Sequence, residues 1–341
     1  MRIGLKYASW AVLIPILSFF SCEKDTSNYS SLHPLVQAPE GFPHIPFPSD
    51  NEFTQEKWEL GKRLFFDPIL SIDSSKSCAS CHAPELAFSD TVPFSPGVMG
   101  RPGKRNAPGL FNLAYQPYFL REGSVPTLEM QILVPIQEEN EFAHNIVDIA
   151  KSLGNIPSYV LQSQQAFQRD PDPYVITRAI ATFERTLVSG NAPYDRYIQG
   201  KGPLTASEKR GMDLFFSERT NCSSCHGGFT FTFHAFENNG LYEDYPDIGR
   251  ERFTNDPSDR ARFKTPSLRN VGITAPYMHD GSMTTLQEVI LHYNSGGKSH
   301  PNKNPLIRPL KLDPGEIEDL VAFLHSLTDP TFISDPRFRK N

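Results

Sequence analysis

The sequence predicts an all-α fold of two helical domains joined by long irregular loops. Three observations carry that prediction. Apolar residues recur at helical spacing, while alternating strand patterns are scarce. One segment is written twice: Thr54 to Phe66 reads TQEKWELGKRLFF and Thr205 to Phe216 reads TASEKRGMDLFF. Each copy ends in Leu-Phe-Phe three residues after a glycine, and each runs into a C-x-x-C-H, so the simplest account is duplication of a small helical domain. The 30 prolines predict many irregular loops between the helices.

The chain opens with Arg2 and Lys6, then an apolar stretch from Tyr7 to Phe20, then Ser21-Cys22. A basic start, an apolar run too short for a membrane span and a small residue before cysteine resemble a bacterial lipoprotein signal. Cys22 would then become the acylated first residue; an ordinary secretory signal is the alternative. Either way the expectation is export to the periplasm, with residues 1–22 as signal, 23–40 as a polar tether and a lipid anchor holding the chain to a bacterial membrane. The remaining length of this 341-residue chain suits two domains, placed at 41–198 and 199–341. A net charge of -6 leaves no basic footprint for nucleic acid.

Other helices are readable in order. After Asp172-Pro173, apolar Ile176, Ile180, Phe183 and Leu187 keep helical spacing up to Gly190. Thr205 and Glu208 form a capping box at the start of the second repeat. Asp313-Pro314-Gly315-Glu316 caps a last helix with Ile317, Leu320, Val321, Leu324 and Leu327 on one face.

The chemistry centres on Cys78-Ala79-Ser80-Cys81-His82 and Cys222-Ser223-Ser224-Cys225-His226, which use four of the five cysteines. C-x-x-C-H is the attachment signature of c-type haem. The thiols add to the vinyl groups and the following histidine ligates iron from one face. A redox dithiol needs no histidine after each pair, and zinc pairs usually lie close together in sequence, unlike Cys81 and Cys222. Between Ala83 and Ala143 there is no histidine, and the only methionines are Met99 and Met130. The first haem is therefore expected to have an open or weakly held sixth position, with Met99 as the alternative ligand.

From about Phe47 to Leu327 the chain resembles the bacterial di-haem cytochrome c peroxidases, especially their MauG-like branch. The resemblance rests on Arg105-Asn106-Ala107-Pro108, Glu122-Gly123, Leu128-Glu129, Gln131, Pro135 and Glu141 after the first haem motif. After the second it rests on Lys264-Thr265-Pro266-Ser267-Leu268-Arg269-Asn270 and Thr274-Ala275-Pro276-Tyr277-Met278-His279-Asp280-Gly281. It implies two cytochrome c-like domains, each with one covalent haem. It implies that Glu141 moves a proton between peroxide oxygens, with Gln131 and Pro135 on the same open face. It implies a calcium ion between the domains, held by Asn106, Thr274 and Pro276; a metal-free Asn-Ala-Pro turn is the alternative. Where ordinary members place a methionine ligand for the second haem, this chain has Tyr293, as the MauG-like branch does. Met278, Met283, His292 and His300 are the competing ligands there. The chain departs from the family at the inter-haem tryptophan, whose place is taken by Arg121 in Arg121-Glu122-Gly123. An arginine cannot be oxidised as an indole can, and pairing with haem propionates is its expected role.

Three functions follow as expectations. The first is a haem peroxidase, reducing hydrogen peroxide at the first haem with electrons passed through the second from a small cytochrome c or copper protein. The second is a MauG-like oxidase acting on a protein or small-molecule substrate through a high-valent di-haem state. The third is a tethered electron carrier with no enzymatic activity.

Overall fold

The structure, a computed structural model, describes residues 33–340; the signal, most of the tether and Cys22 lie outside the described residues. Seven helices lead through the first half: α1 Gln55–Phe66, α2 Leu128–Gln131, α3 Leu133–Gln137, α4 Ile146–Gly154, α5 Pro157–Phe167, α6 Pro173–Arg185 and α7 Pro193–Ile198. Six follow: α8 Ala206–Phe215, α9 Cys222–Cys225, α10 Glu251–Thr254, α11 Leu286–Ser295, α12 Pro314–His325 and α13 Pro330–Ile333. The one small sheet among the described residues pairs β1 Phe236–Glu237 antiparallel with β2 Phe263–Lys264. No helix among the described residues is long and apolar enough to cross a membrane.

The capping signals act as written. Thr205 accepts from the Glu208 amide while the Glu208 carboxylate takes the Thr205 amide, and Asp313 and Glu316 do the same for α12. The helix after Asp172 stops at Arg185, short of Gly190. Thr186 turns the chain there and its Oγ1 receives the Trp58 indole N–H at 2.9 Å. Leu187 stays buried beyond the helix end.

The sequence repeat is a packing repeat. In α1, a Cβ on Gly61 would stand 1.9 Å from the Ala179 carbonyl of α6; in α8, a Cβ on Gly211 would stand 1.9 Å from the Asp319 carbonyl of α12. Each glycine lets two helix backbones touch. The Leu-Phe-Phe that follows packs on the partner helix, Phe65 against Phe183 at 5.2 Å and Phe215 against Phe323 at 5.1 Å. Around each crossing a separate apolar core grows, one with Leu64, Phe65, Ile180 and Phe183, the other with Phe215, Phe231, Leu320 and Phe323. The C-terminal segment does not stay with the second core. Phe332 of α13 and Phe338 belong to the first, so packing crosses the line drawn at residue 199.

Candidate functional site

Both C-x-x-C-H motifs fold into one tight turn in which the histidine amide returns to the first cysteine carbonyl, at 3.0 Å for His82 and 2.9 Å for His226. The His82 Nδ1 then meets the Phe88 carbonyl at 2.8 Å, and the His226 Nδ1 meets the Pro266 carbonyl at 3.1 Å. A carbonyl fixes the proton on Nδ1 and leaves Nε2 as the free ligand atom, the usual outer-shell support of a metal-bound imidazole. Burial pushes both imidazoles down, His226 to about 4, so each is neutral and able to ligate at pH 7. The four thiols are unpaired, and burial pushes them up. No three His, Cys, Asp or Glu side chains among the described residues gather as a metal's ligand set. A continuous cavity of about 740 Å³ runs past both motifs. Its walls, two neutral imidazoles and paired thiols fit covalently attached haem.

On the first motif's side, Gln131, Pro135 and Glu141 line that cavity together with Cys78, Cys81 and His82. Thr127 caps α2, which sets Gln131, and α3 carries Pro135. A turn then closes through Glu141 N–H to the Glu138 carbonyl at 2.9 Å and Phe142 N–H to the Pro135 carbonyl at 3.1 Å. A second strap comes from Val98, whose amide donates to the Glu141 carbonyl at 2.9 Å. The Glu141 side chain is open towards the cavity, yet burial in the protein mass, with the Glu138 charge, pushes its carboxyl up to about 7. Met99 points the other way: it is 69% exposed, and its Sδ takes an Arg101 N–H at 3.5 Å. Met130 is also at the surface, 50% exposed. Neither methionine lines the cavity.

On the second side, Tyr293 of α11 and Met278 both line the cavity with Cys222, Cys225 and His226. Burial pushes the Tyr293 phenol up to about 12. The Met278 Sδ accepts from the Asn239 side-chain amide at 3.3 Å. The other competitors, His292, His300 and Met283, do not line the cavity; His292 Nε2 pairs with the Asn239 carbonyl at 3.0 Å and His300 Nδ1 sits 3.3 Å from Asn238 Nδ2.

Between the two sides the chain places charge. Arg105 grips Asp247 through Nε at 2.6 Å and Nη2 at 2.9 Å, and its Nη1 reaches Glu122. Arg121 and Lys264 both line the cavity, and neither forms an ion pair among the described residues. Among the described residues the Lys264 ammonium donates to the Gln116 side chain at 2.6 Å and the Tyr118 carbonyl at 2.9 Å, and burial draws its pKa down to about 7. Two cations lacking a carboxylate fit a cofactor that brings carboxylates of its own. Thr274 and Pro276 line the same cavity. The two Asn106 oxygens, however, already receive the Arg121 guanidinium, its backbone O at 2.7 and 3.2 Å and its Oδ1 at 3.2 Å. The set as folded does not fit a calcium ion, which would need those same lone pairs.

One cavity residue went unread in the sequence. Glu184 lies on α6 one turn beyond Ile180, on the apolar face, and both line the cavity. It is 4% exposed, its Oε2 has no hydrogen-bond partner among the described residues, and burial pushes its carboxyl up to about 8. A lone acid in an otherwise apolar stripe was the available signal.

Comparison with known proteins accounts for the double site. The family described as di-haem cytochrome c peroxidase matches residues 55–202, and cytochrome c matches residues 208–328. The methylamine utilization protein MauG of Methylorubrum extorquens is 37% identical over 324 residues, which cover 93% of this chain and 90% of the relative. The cytochrome c551 peroxidase of Pseudomonas aeruginosa is 33% identical, with 81% of this chain and 79% of the relative covered. A solved MauG-like protein associated with microbial copper homeostasis superposes with a TM-score of 0.85 at 35% identity, covering 88% of this chain and 97% of its own. The two cytochrome motifs therefore carry covalent c-type haems, and the chain belongs to the di-haem cytochrome c peroxidase family of haem oxidoreductases.

Proposed function

We propose that this chain reduces hydrogen peroxide at its first haem, with electrons entering through the second from a small donor protein such as a cytochrome c or copper protein. The observation that carries the reading is the gathering of Gln131, Pro135 and Glu141 on the cavity beside His82, with Met99 and Met130 turned to the surface. When bound, the first haem would supply an iron able to accept peroxide, and the second would supply electrons to it. His82 would hold that iron through Nε2, its ring fixed by the Phe88 carbonyl. Glu141 takes the proton from the nearer peroxide oxygen and returns it to the farther one, so that the O–O bond breaks with water leaving. Two electrons and two further protons complete the reduction to two waters. A carboxyl with a pKa near the working pH can both accept and return a proton, and such help contributes roughly 10²–10⁴-fold in rate.

In this reading Cys78 and Cys81 would carry the first haem, Cys222, Cys225 and His226 would hold the second, and Tyr293 would be a further ligand to the second iron. A phenolate favours the oxidised iron. That property supports the second reading, a MauG-like oxidase, while relatives bearing the name peroxidase support the first. The export signal and acylated Cys22 belong to the same proposal, since covalent haem attachment in bacteria takes place outside the cytoplasm. The test is peroxide added to the untreated, all-ferric protein and followed by electron paramagnetic resonance. An open, high-spin first haem that reacts without prior reduction is expected. Two six-coordinate, low-spin haems that react only after one-electron reduction would overturn an open resting site.

A further inference from the structure

The place where the family resemblance puts a calcium ion is filled by the chain itself. Asn106 is buried, and three of its polar groups are committed in different directions. Its amide donates to the His279 carbonyl at 2.9 Å, which ties it to the second half of the chain. Its side-chain nitrogen donates to the Val92 carbonyl at 3.3 Å, so Oδ1 faces the other way, toward Arg121. There the guanidinium gives Nη2 to both Asn106 oxygens and Nε to the backbone one.

Arg121 is delivered to that point by a sharp turn. Leu120 and Gly123 both have positive φ, and the Gly123 amide closes on the Leu120 carbonyl at 3.2 Å. A Cβ at Gly123 would stand 2.2 Å from the Phe236 ring, so the turn lies flat against β1 only because residue 123 has no side chain. The Arg121 carbonyl in turn receives the Lys264 amide of β2 at 2.6 Å. Arg121 is thus held at its backbone by Lys264 of the second half and at its head group by Asn106, which is itself bonded to His279 of that same half. Its environment lowers the guanidinium pKa only to about 10, through burial and then the Arg105 charge, so it stays cationic at neutral pH.

We infer that Arg121 is a built-in replacement for a calcium ion at the junction of the two haem sites, and that this protein assembles and works without calcium. A divalent ion and a guanidinium cannot share the Asn106 oxygens: the lone pairs are the same and the charges repel. An arginine fixed by the fold also has no dissociation equilibrium, so the junction keeps its positive charge at any calcium concentration. The inference is independent of which substrate the first haem reduces.

The test uses the haem-loaded protein, washed with chelator and titrated with calcium chloride in a calorimeter, with magnesium chloride as control. The wild type should give heat of dilution only, and chelator should leave its ferric haem absorption and paramagnetic resonance unchanged. Arg121→Gln, which frees Asn106 Oδ1 and removes the charge, should gain saturable calcium uptake that the wild type lacks, with no response to magnesium. Bound calcium should raise the unfolding midpoint of that variant alone. Arg121→Trp carries the same expectation if Arg121→Gln fails to load haem. Saturable calcium uptake by the wild type overturns the inference, whatever the variants do. A haem-loaded, charge-free variant that still ignores calcium overturns it too, because Arg121 would then not occupy a cation's place.

Discussion

Glu141 and Glu184 are both carboxyls pushed upward by burial and both line the cavity, but Glu141 is exposed there while Glu184 is buried. Glu141 sits at the mouth of a turn and faces the cavity, with a pKa near 7. In the proposed reaction its ionised form is the base, so the peroxide reaction should accelerate as pH rises through about 7 and level off above it. Stopped-flow mixing across that range should show the inflection in the wild type and lose it in Glu141→Gln, which should also react roughly 10²–10⁴-fold more slowly. An unchanged profile in the variant would remove Glu141 from the proton path. Glu184 lines the same cavity but is only 4% exposed, with Oε2 unpartnered among the described residues, so its effect should appear in stability instead. It is neutral in the folded chain up to about 8, whereas the unfolded side chain ionises near 4.5. Its contribution is therefore fully present below about 4.5 and falls by about 1.4 kcal/mol per pH unit until about 8. Glu184→Gln should flatten that part of the stability curve in denaturant titrations; an unaltered slope would mean that the carboxyl is already ionised at neutral pH. The contrast also shows what sequence can convey about single residues. Glu141 stood out through its place in a linked set of motifs. Glu184 was hidden because a helix face read from its apolar members does not report the polar one among them.

At the scale of elements, the legible features were those written in local code: the capping boxes at Thr205 and Asp313, and the paired Gly-x-x-Leu-Phe-Phe segments. The reason for the glycines was not legible, because it lies across the crossing in the carbonyls of Ala179 and Asp319. The two-residue strands of the small sheet were equally silent, since pairing Phe236 with Lys264 is a tertiary event with no alternating pattern behind it. The crossing yields a prediction in which two effects oppose each other. Gly211→Ala gains up to about 1 kcal/mol of helix propensity. It also drives a methyl to 1.9 Å from the Asp319 backbone oxygen, which no side-chain adjustment can relieve. Overpacking of that kind typically costs about 1–3 kcal/mol, so the variant should unfold at lower denaturant than the wild type. A stabilised variant would show that α8 and α12 can part without loss. Tyr293 belongs to this scale as well, since α11 presents it to the cavity beside Met278. Tyr293→Met should raise the reduction potential of the second haem in a spectroelectrochemical titration. No shift would assign the iron to another ligand.

In the whole molecule, the two cores are joined by a polar knot and closed by a returning tail. Asp329 Oδ2 accepts from the Gly190 amide at 3.0 Å and the Asn191 amide at 2.9 Å, while its own amide donates to Asn270 Oδ1 at 2.9 Å. Asn270 reaches back to Ser189, and Ser189 pairs with Asn112. The knot thus draws on residues from both sequence halves, and every one of these four side chains is buried. Beyond it, Phe332 and Phe338, each 4% exposed, enter the first core, where Phe332 meets Phe88 and Phe338 meets Phe183. Nothing in the sequence announced this return, because the segment after Leu327 is short, irregular and outside the repeat. Burying two phenylalanines contributes roughly 3–6 kcal/mol, a large share of the 5–15 kcal/mol that holds an ordinary domain together. A chain ending at Thr328 keeps α12 and the second core intact but strips both rings and the Asp329 carboxylate from the first. It should therefore retain the haem on Cys222 and Cys225 while losing loading, or thermal stability, at Cys78 and Cys81. Mass spectrometry of the separated haem peptides and the unfolding midpoint measure both. Phe332→Ala with Phe338→Ala in the full-length chain separates the rings from the knot and should lower the midpoint in the same direction. If the shortened chain carries both haems and melts where the wild type does, the tail is an ornament on the first core, and the two halves stand without it.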